Sequence, residues 1–384
     1  MKIKICVVTS SRADYGLLYW VMKKIKSNQN LELMPVVTGA HLSEKYGYTV
    51  SEIIEDGFPN LKKIKLSVYD TSPYGIAKTS GQIVDKFANY FKNKKIDLLV
   101  LLGDRFEMLS VALAALPYNI PIAHIGGGEI TEGVIDDNIR HCLTKLSHLH
   151  FPITLECAKR IVQMGEEAWR VNVVGSPRLD AKNIKFKSKK ELSKRYGLNF
   201  EGKVALVIYH PVTLEVRNTK YQIDNLLKAI EFVNIETIMF YPNQDTCSDI
   251  IIDKIESFAK NRKNIKLFKP LKRNDYYSML KVIDVLIGNS SIGIIEAPSF
   301  KLPAVNIGNR QKGRDHTKNI INVDYSWQDI VKGIKKGLYD EEFIQSLKDL
   351  KNPYGDGKAS KKIVNIISNI DFDNFNIVKK NNLN

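Results

Sequence analysis

The chain has no apolar run approaching the ~20 residues that a membrane-spanning helix needs, so no membrane is expected as a partner. Its start, MKIKICVVTSSRADYG, is basic and then briefly apolar, but it has no small-residue cleavage site, and Arg12 and Asp14 follow at once. That pattern reads as a first strand rather than a signal peptide. Cysteine is sparse. Cys6, Cys142, Cys157 and Cys247 are scattered, with no CxxC pair and no His/Cys ligand spacing. This excludes a disulfide scaffold or zinc module and points to reduced thiols in a cytoplasmic protein. Short-period repeats are missing too. So are a dense basic block, a zinc-finger pattern and an RNA-recognition motif, although the net charge is +15. The lysines are spread through runs such as KNKK, KFKSKK and KNRKN, which suits solvent faces of helices. No nucleic acid partner is expected; an anionic small substrate accounts for the charge more economically.

At 384 residues the chain exceeds the usual single core, and an apolar fraction of 44% is ordinary for a globular protein. Apolar runs at 2–9, 31–37, 97–102, 120–125, 149–151 and 171–174 read as strands separated by helical stretches. Residues 70–81 hold Gly, Pro and Ser and read as a mobile loop, with a helix over 78–93. A lysine-rich polar stretch at 181–203 reads as a linker with one helix. The alternation then restarts, with strands expected at 204–209, 237–241, 265–268, 285–287 and 304–307. The fold class expected is α/β, with two Rossmann-like domains facing a cleft. The first domain covers 1–180 and the second 181–357, and a closing helix from about 358 packs back on the first.

Residues 283–298, IDVLIGNSSIGIIEAP, read as a strand, a tight glycine turn and a helix start. Free backbone N–H groups, the serine hydroxyls and a positive helix end would bind phosphate there. Gly288 and Gly293 would let the ligand approach the backbone. Glu296, further along, would accept bonds from ribose hydroxyls. A serine-capped helix is the plainer alternative. Ligands of open α/β sheets sit at the carboxyl ends of strands. In the first half those positions hold Arg12, Gly16, Asp104, Arg105, Glu129, Asp136, Asp137, Arg140 and His141. In the second they hold His210, Asn243, Ser290, Ser291, Arg310 and Arg314. Acids dominate the first set and suit proton transfer. Hydroxyls, amides and arginines dominate the second and suit a phosphate-bearing group. Asp136 and Asp137 equally suit a helix cap, Arg140 a partner for them, and His141 a core histidine.

The motifs SRADYG at 11–16, LGDRFE at 102–107, GGE at 127–129, IDDNIRH at 135–141, HPVT at 210–213, IGNSSIG at 287–293 and NIGNRQKGR at 306–314 stand in an order that resembles the hydrolysing UDP-N-acetylglucosamine 2-epimerases. The resemblance runs from about residue 3 to about residue 360. It implies a glycosyltransferase-B-like fold, no metal, no NAD or other cofactor, and a homodimer or homotetramer. It also implies release of a nucleoside diphosphate and a free 2-epimerised amino sugar for sialic or legionaminic acid synthesis. Asp104, Glu129 and Asp137 are the implied acids and bases. His210 and Arg12 would stabilise the departing diphosphate, with Ser290 and Ser291. Arg105, Arg310, Gly16 and Asn243 are further nucleotide-side candidates. Other readings are a glycosyltransferase of the same fold and a nucleotide-sugar-binding protein without chemistry.

Overall fold

The structure, a computed structural model, describes residues 2–44, 47–67, 72–131, 135–242, 247–269 and 271–372. The chain divides into two compact units. One is formed by residues 1–180 together with 354–384, the other by 181–353.

The first unit is built on a parallel six-stranded sheet. Its strands are β1 (Ile3–Thr9), β2 (Leu31–Val37), β3 (Lys62–Lys63), β4 (Leu98–Leu102), β5 (Ile122–Ile125) and β6 (Leu149–Phe151). They lie in the order β3-β2-β1-β4-β5-β6. Strand β4, Leu-Leu-Val-Leu-Leu, is buried along its whole length, as expected for a strand covered on both faces. One face packs against the helix Arg12–Ser27 through Leu18, Met22 and Ile25. The helix Ala359–Ser368 joins the same core through Ile363, Val364 and Ile367. Its start is held by Asp180, whose carboxylate accepts the N–H groups of Ala359 at 2.8 Å and Ser360 at 2.6 Å. The other face is covered by helices Pro73–Lys92 and Phe106–Ala115.

The second unit repeats the plan with β7 (Val204–Ile208), β8 (Glu236–Phe240), β9 (Ile265–Phe268), β10 (Val285–Gly288), β11 (Ala304–Ile307) and β12 (Ile320–Val323). The order β12-β11-β10-β7-β8-β9 is the same one read from the opposite edge. Both are the doubly wound order, in which the chain reverses direction across the sheet between its first and fourth strands. That switch point lies between β1 and β4 in the first unit and between β7 and β10 in the second.

Several local expectations need correction. No strand forms at 171–174; Val171 makes only an isolated bridge to His150. The helix expected at 78 begins at Pro73. Ser72 caps it by accepting the Gly75 N–H at 3.0 Å, and proline fits the first helical turn, where its missing N–H costs nothing. Residues 68–71 of the expected loop lie outside the described residues. The lysine-rich stretch is not a free linker. Its helix Lys189–Tyr196 has a Ser188/Glu191 capping box, and Leu192 and Leu198 are buried in the second unit.

Candidate functional site

In the first unit the chain leaves β4 through Gly103 into Asp104 and Arg105, beside the end of β1 at the switch point. Asp104 does not stand alone. Its Oδ2 accepts from Arg140 Nη2, on the helix Ile135–Leu146. Arg140 is buried, with its side chain 3% exposed. The same guanidinium donates from Nη1 to the Glu129 carbonyl at 2.8 Å and to Asp137 Oδ1 at 3.2 Å, and from Nη2 to Thr131 Oγ1 at 3.0 Å. Asp137 Oδ1 also accepts the Thr131 N–H at 2.8 Å, and its Oδ2 lies 3.4 Å from His141 Nε2. One planar fork thus fixes two of the three expected acids and the backbone of the third. The spacing explains the motif: Asp137, Arg140 and His141 are three and four residues apart and share one helix face.

Two more groups belong to this cluster. Desolvation by surrounding protein, then the Asp104 charge, pushes the Asp136 carboxyl above its ordinary value, although part of its surface meets solvent. A carboxyl held above its ordinary value is closer to what a general acid needs. His124, at the end of β5, is fully buried. Burial pushes its ring down to about 4, so the ring is neutral, and Nε2–H donates to the Gly103 carbonyl at 2.7 Å. It steadies the turn that presents Asp104.

Arg105 is held by the buried Glu107, with Nη2 to Oε1 at 2.8 Å and Nε to Oε2 at 3.1 Å. Arg12 is exposed at the start of its helix, where Nε donates to Glu52 at 3.1 Å. The Asp14 of SRADYG is a structural capping group. Its carboxylate accepts the N–H groups of Ser10 and Ser11, both at 3.0 Å. Gly16 lies inside that helix, and a side chain added there would meet nothing within 4 Å. No packing contact in the described residues therefore calls for a helical glycine, which costs about 1 kcal/mol relative to alanine.

In the second unit the switch point is closed by a reciprocal pair. The His210 N–H donates to Asn289 Oδ1 at 2.8 Å, and Asn289 Nδ2 donates to the His210 carbonyl at 2.8 Å. The Asn289 carbonyl then accepts from Arg310 Nη1 at 3.1 Å and Gln311 Nε2 at 2.8 Å. One buried asparagine thereby gathers the loops after β7, β10 and β11. The His210 ring is 6% exposed as a residue, and burial, then the Arg310 charge, pushes it down to about 3.

Ser290 and Ser291 follow Asn289 directly. The helix they open, Ile292–Ile295, is a single turn, so the dipole expected there is small. Ser291 makes no side-chain cap bond, and Ser290 Oγ meets the Ile292 N–H only at 3.5 Å, so the capped-helix alternative fails. The glycines on either side have a packing reason of their own. A side chain on Gly288 would strike the Ile208 carbonyl of the neighbouring strand, and one on Gly293 would press on Ala304 and Leu286. Glu296 is buried, and Tyr276 OH donates to its Oε1 at 3.3 Å. Asn243 lies outside the described residues.

Within each unit some of the expected residues share a partner. Asp104, Glu129 and Asp137 surround Arg140, whereas His210 and Arg310 meet through Asn289. A family model described as "UDP-N-acetylglucosamine 2-epimerase" matches residues 23–368. The chain belongs to this family. Two relatives are similar over nearly the full length of both chains. A hydrolysing UDP-N,N'-diacetylbacillosamine 2-epimerase of Legionella pneumophila is 37% identical over 96% of this chain and 96% of its own. A hydrolysing GDP/UDP-N,N'-diacetylbacillosamine 2-epimerase of Campylobacter jejuni is 40% identical over 90% of each. Among solved structures, the UDP-GlcNAc 2-epimerase of Neisseria meningitidis bound to UDP-GlcNAc matches with a TM-score of 0.80. The match covers 95% of this chain and 99% of that one, at 18% identity, which bears on the fold. The architecture of this epimerase is thus the α/β pair of doubly wound sheets expected from its strand–helix alternation. No described helix is long and apolar enough to cross a membrane.

Missing from the residues expected at the site were Asn289 and His124, and Arg140 was expected as a partner of Asp136 and Asp137 rather than as an organiser of three loops. Asn289 and Arg140 stood in the motifs, but nothing in their spacing says that one amide or guanidinium would reach three partners. His124 sits in a strand, IAHI, that reads as core.

Proposed function

We propose that this epimerase hydrolyses a nucleoside-diphosphate 2-acetamido sugar and releases the free 2-epimer. The first unit's carboxylates move protons, and the second unit's groups hold the diphosphate. The observation that carries this reading is the Arg140 fork, which organises Asp104, Asp137 and the Glu129 backbone into one acid cluster. A weakly acidic C2 proton needs a positioned carboxylate base. A departing diphosphate needs fixed donors and cations, and His210, Arg310 and the Ser290 and Ser291 hydroxyls supply them. Loss of the C2 proton and of the diphosphate from C1 leaves a 2-acetamidoglycal. Water then adds its hydroxyl at C1, and a proton returns to C2 from the other face. Glu296 is assigned to the ribose, and Arg12 and Arg105 to the diphosphate once they leave their carboxylate partners. Gly16 leaves open space beside Arg12 for the nucleotide.

The two relatives at 37% and 40% identity favour a 2,4-diacetamido-2,4,6-trideoxy sugar as the substrate, carried on UDP or GDP. UDP-N-acetylglucosamine is the comparison substrate. A panel of these nucleotide sugars, read by the mass of the released sugar, tests the assignment. Free diacetamido-trideoxy-mannose is the expected product. Release of N-acetylmannosamine alone would move the enzyme to sialic acid synthesis, and no free sugar from any donor would overturn the hydrolytic reading. A homodimer or homotetramer is part of the proposal, and light scattering reads it directly. Replacing both Ser290 and Ser291 by alanine is expected to weaken UDP binding by about 1 kcal/mol per lost hydrogen bond. Unchanged affinity by calorimetry would remove them from the site.

A further inference from the structure

The second unit contains a run of polar side chains, buried at Tyr209 and Gln222 and half-buried at Glu215 and Tyr325, that the reaction does not use. Tyr209, just before His210, donates its hydroxyl to Gln222 Oε1 at 3.1 Å. Gln222 Nε2 donates to Glu215 Oε2 at 2.7 Å. Tyr325 OH donates to the same oxygen at 2.8 Å and accepts the Asn309 N–H at 3.4 Å. The Tyr325 ring lies against Gly308, which has φ +71°, and a side chain there would collide with the ring. Arg310 is the next residue but one after Gly308. It returns to the Asn289 carbonyl, and Asn289 returns to His210. The run is therefore a closed circuit. It leaves the strand end that carries His210, crosses to the loop that carries Arg310, and comes back through Asn289.

Glu215 is the joint of this circuit. It lies in the turn Thr213–Asn218, where its own backbone departs from helical geometry at φ −123° and ψ 27°. One of its oxygens receives two neutral donors from distant parts of the chain, Gln222 on the helix Thr219–Val233 and Tyr325 in the segment after β12. Apolar residues would fill the same space without needing partners. A polar chain inside a fold raises stability and uniqueness only when each member is satisfied. Burial, then the bond to Glu215, pushes the Tyr325 phenol up to about 12, so it remains a donor at working pH.

We propose that Glu215 and Tyr325 are positioning residues that clamp the 308–310 loop and so set the Arg310 guanidinium for a nucleoside diphosphate. This rests on the reading of the second unit as the diphosphate-holding half. Tyr325→Phe keeps the ring on Gly308 and removes the hydroxyl. It is expected to weaken UDP binding five- to tenfold by calorimetry. Glu215→Gln keeps one acceptor oxygen and should give a smaller loss. The decisive arm is coupling to Arg310. In an Arg310→Ala background, Tyr325→Phe should change UDP affinity by less than twofold, because the group it positions is already gone. Equal losses in both backgrounds would show a general structural effect and overturn the clamp. So would wild-type UDP affinity in Tyr325→Phe. Failure of the underlying reading is distinguishable, because Arg310→Ala alone would then leave both UDP and GDP affinity at the parental level.

Discussion

Arg140→Met is expected to lower kcat by at least 100-fold while leaving UDP affinity within about twofold. The argument starts from geometry. The one Arg140 guanidinium bonds to Asp104 Oδ2, Asp137 Oδ1 and the Glu129 carbonyl, and methionine fills the space without bonding to any of them. A displacement of about 1 Å at reacting groups costs on the order of 100-fold in rate. Removing one member of a buried charge pair costs about 3–5 kcal/mol. Asp104 and Asp137 are 30% and 26% exposed, so water relieves part of that cost and about 3 kcal/mol is expected. Arg140→Lys separates geometry from folding. It keeps the charge but offers a point donor instead of a fork. Its melting temperature should stay near that of the parent while kcat still falls by about tenfold or more. Near-parental turnover in the lysine variant would show that Arg140 is structural filling.

His210→Asn is expected to reduce kcat/KM by about 100-fold, the usual cost of losing one fixed donor at a developing charge. Because burial and Arg310 hold the ring down to about 3, it stays neutral between pH 5 and 8. The parental profile of kcat/KM should then show no inflection near pH 6.5 from this residue. Stability follows the opposite limb. An unfolded chain protonates His124 and His210 as pH falls through about 6.5, but the folded rings resist down to about 4 and about 3. Below 6.5 the unfolded state binds more protons, so stability is complete above that pH and falls as pH drops toward 4. The loss is about 1.4 kcal/mol per pH unit for each ring. One ring lies in each unit, so each loses about 2 kcal/mol between pH 6.5 and 5, or about 4–8 °C of melting temperature. A melting temperature that is equal or higher at pH 5 would contradict the buried neutral rings.

Much of this was legible in the sequence because parallel strands covered on both faces are written as apolar runs. LLVLL and VALVI announce β4 and β7 and place the chemistry at their ends. The strands without that signature were missed. β3 is two exposed lysines, and β12, Ile-Ile-Asn-Val, is a half-exposed edge. Several motif residues share partners at the switch points, and others have packing or capping roles that their spacing does not show. Gly288 and Gly293 accommodate neighbouring strands, and Asp14 caps a helix. These are three-dimensional facts about what lies opposite, and no spacing along the chain encodes them. Asn289 went unassigned, and Arg140 was read only as a partner for its helix neighbours, for the same reason. A single side chain serving three loops is visible only when the loops are assembled.

The central claim is that the C2 proton leaves and a solvent proton replaces it. Running the reaction in deuterated water with the accepted nucleotide sugar, and reading the released sugar by mass and proton spectroscopy, tests it most directly. One deuterium at C2 in every product molecule is the result predicted by elimination followed by hydration. A product that keeps its original proton at C2 would contradict the account.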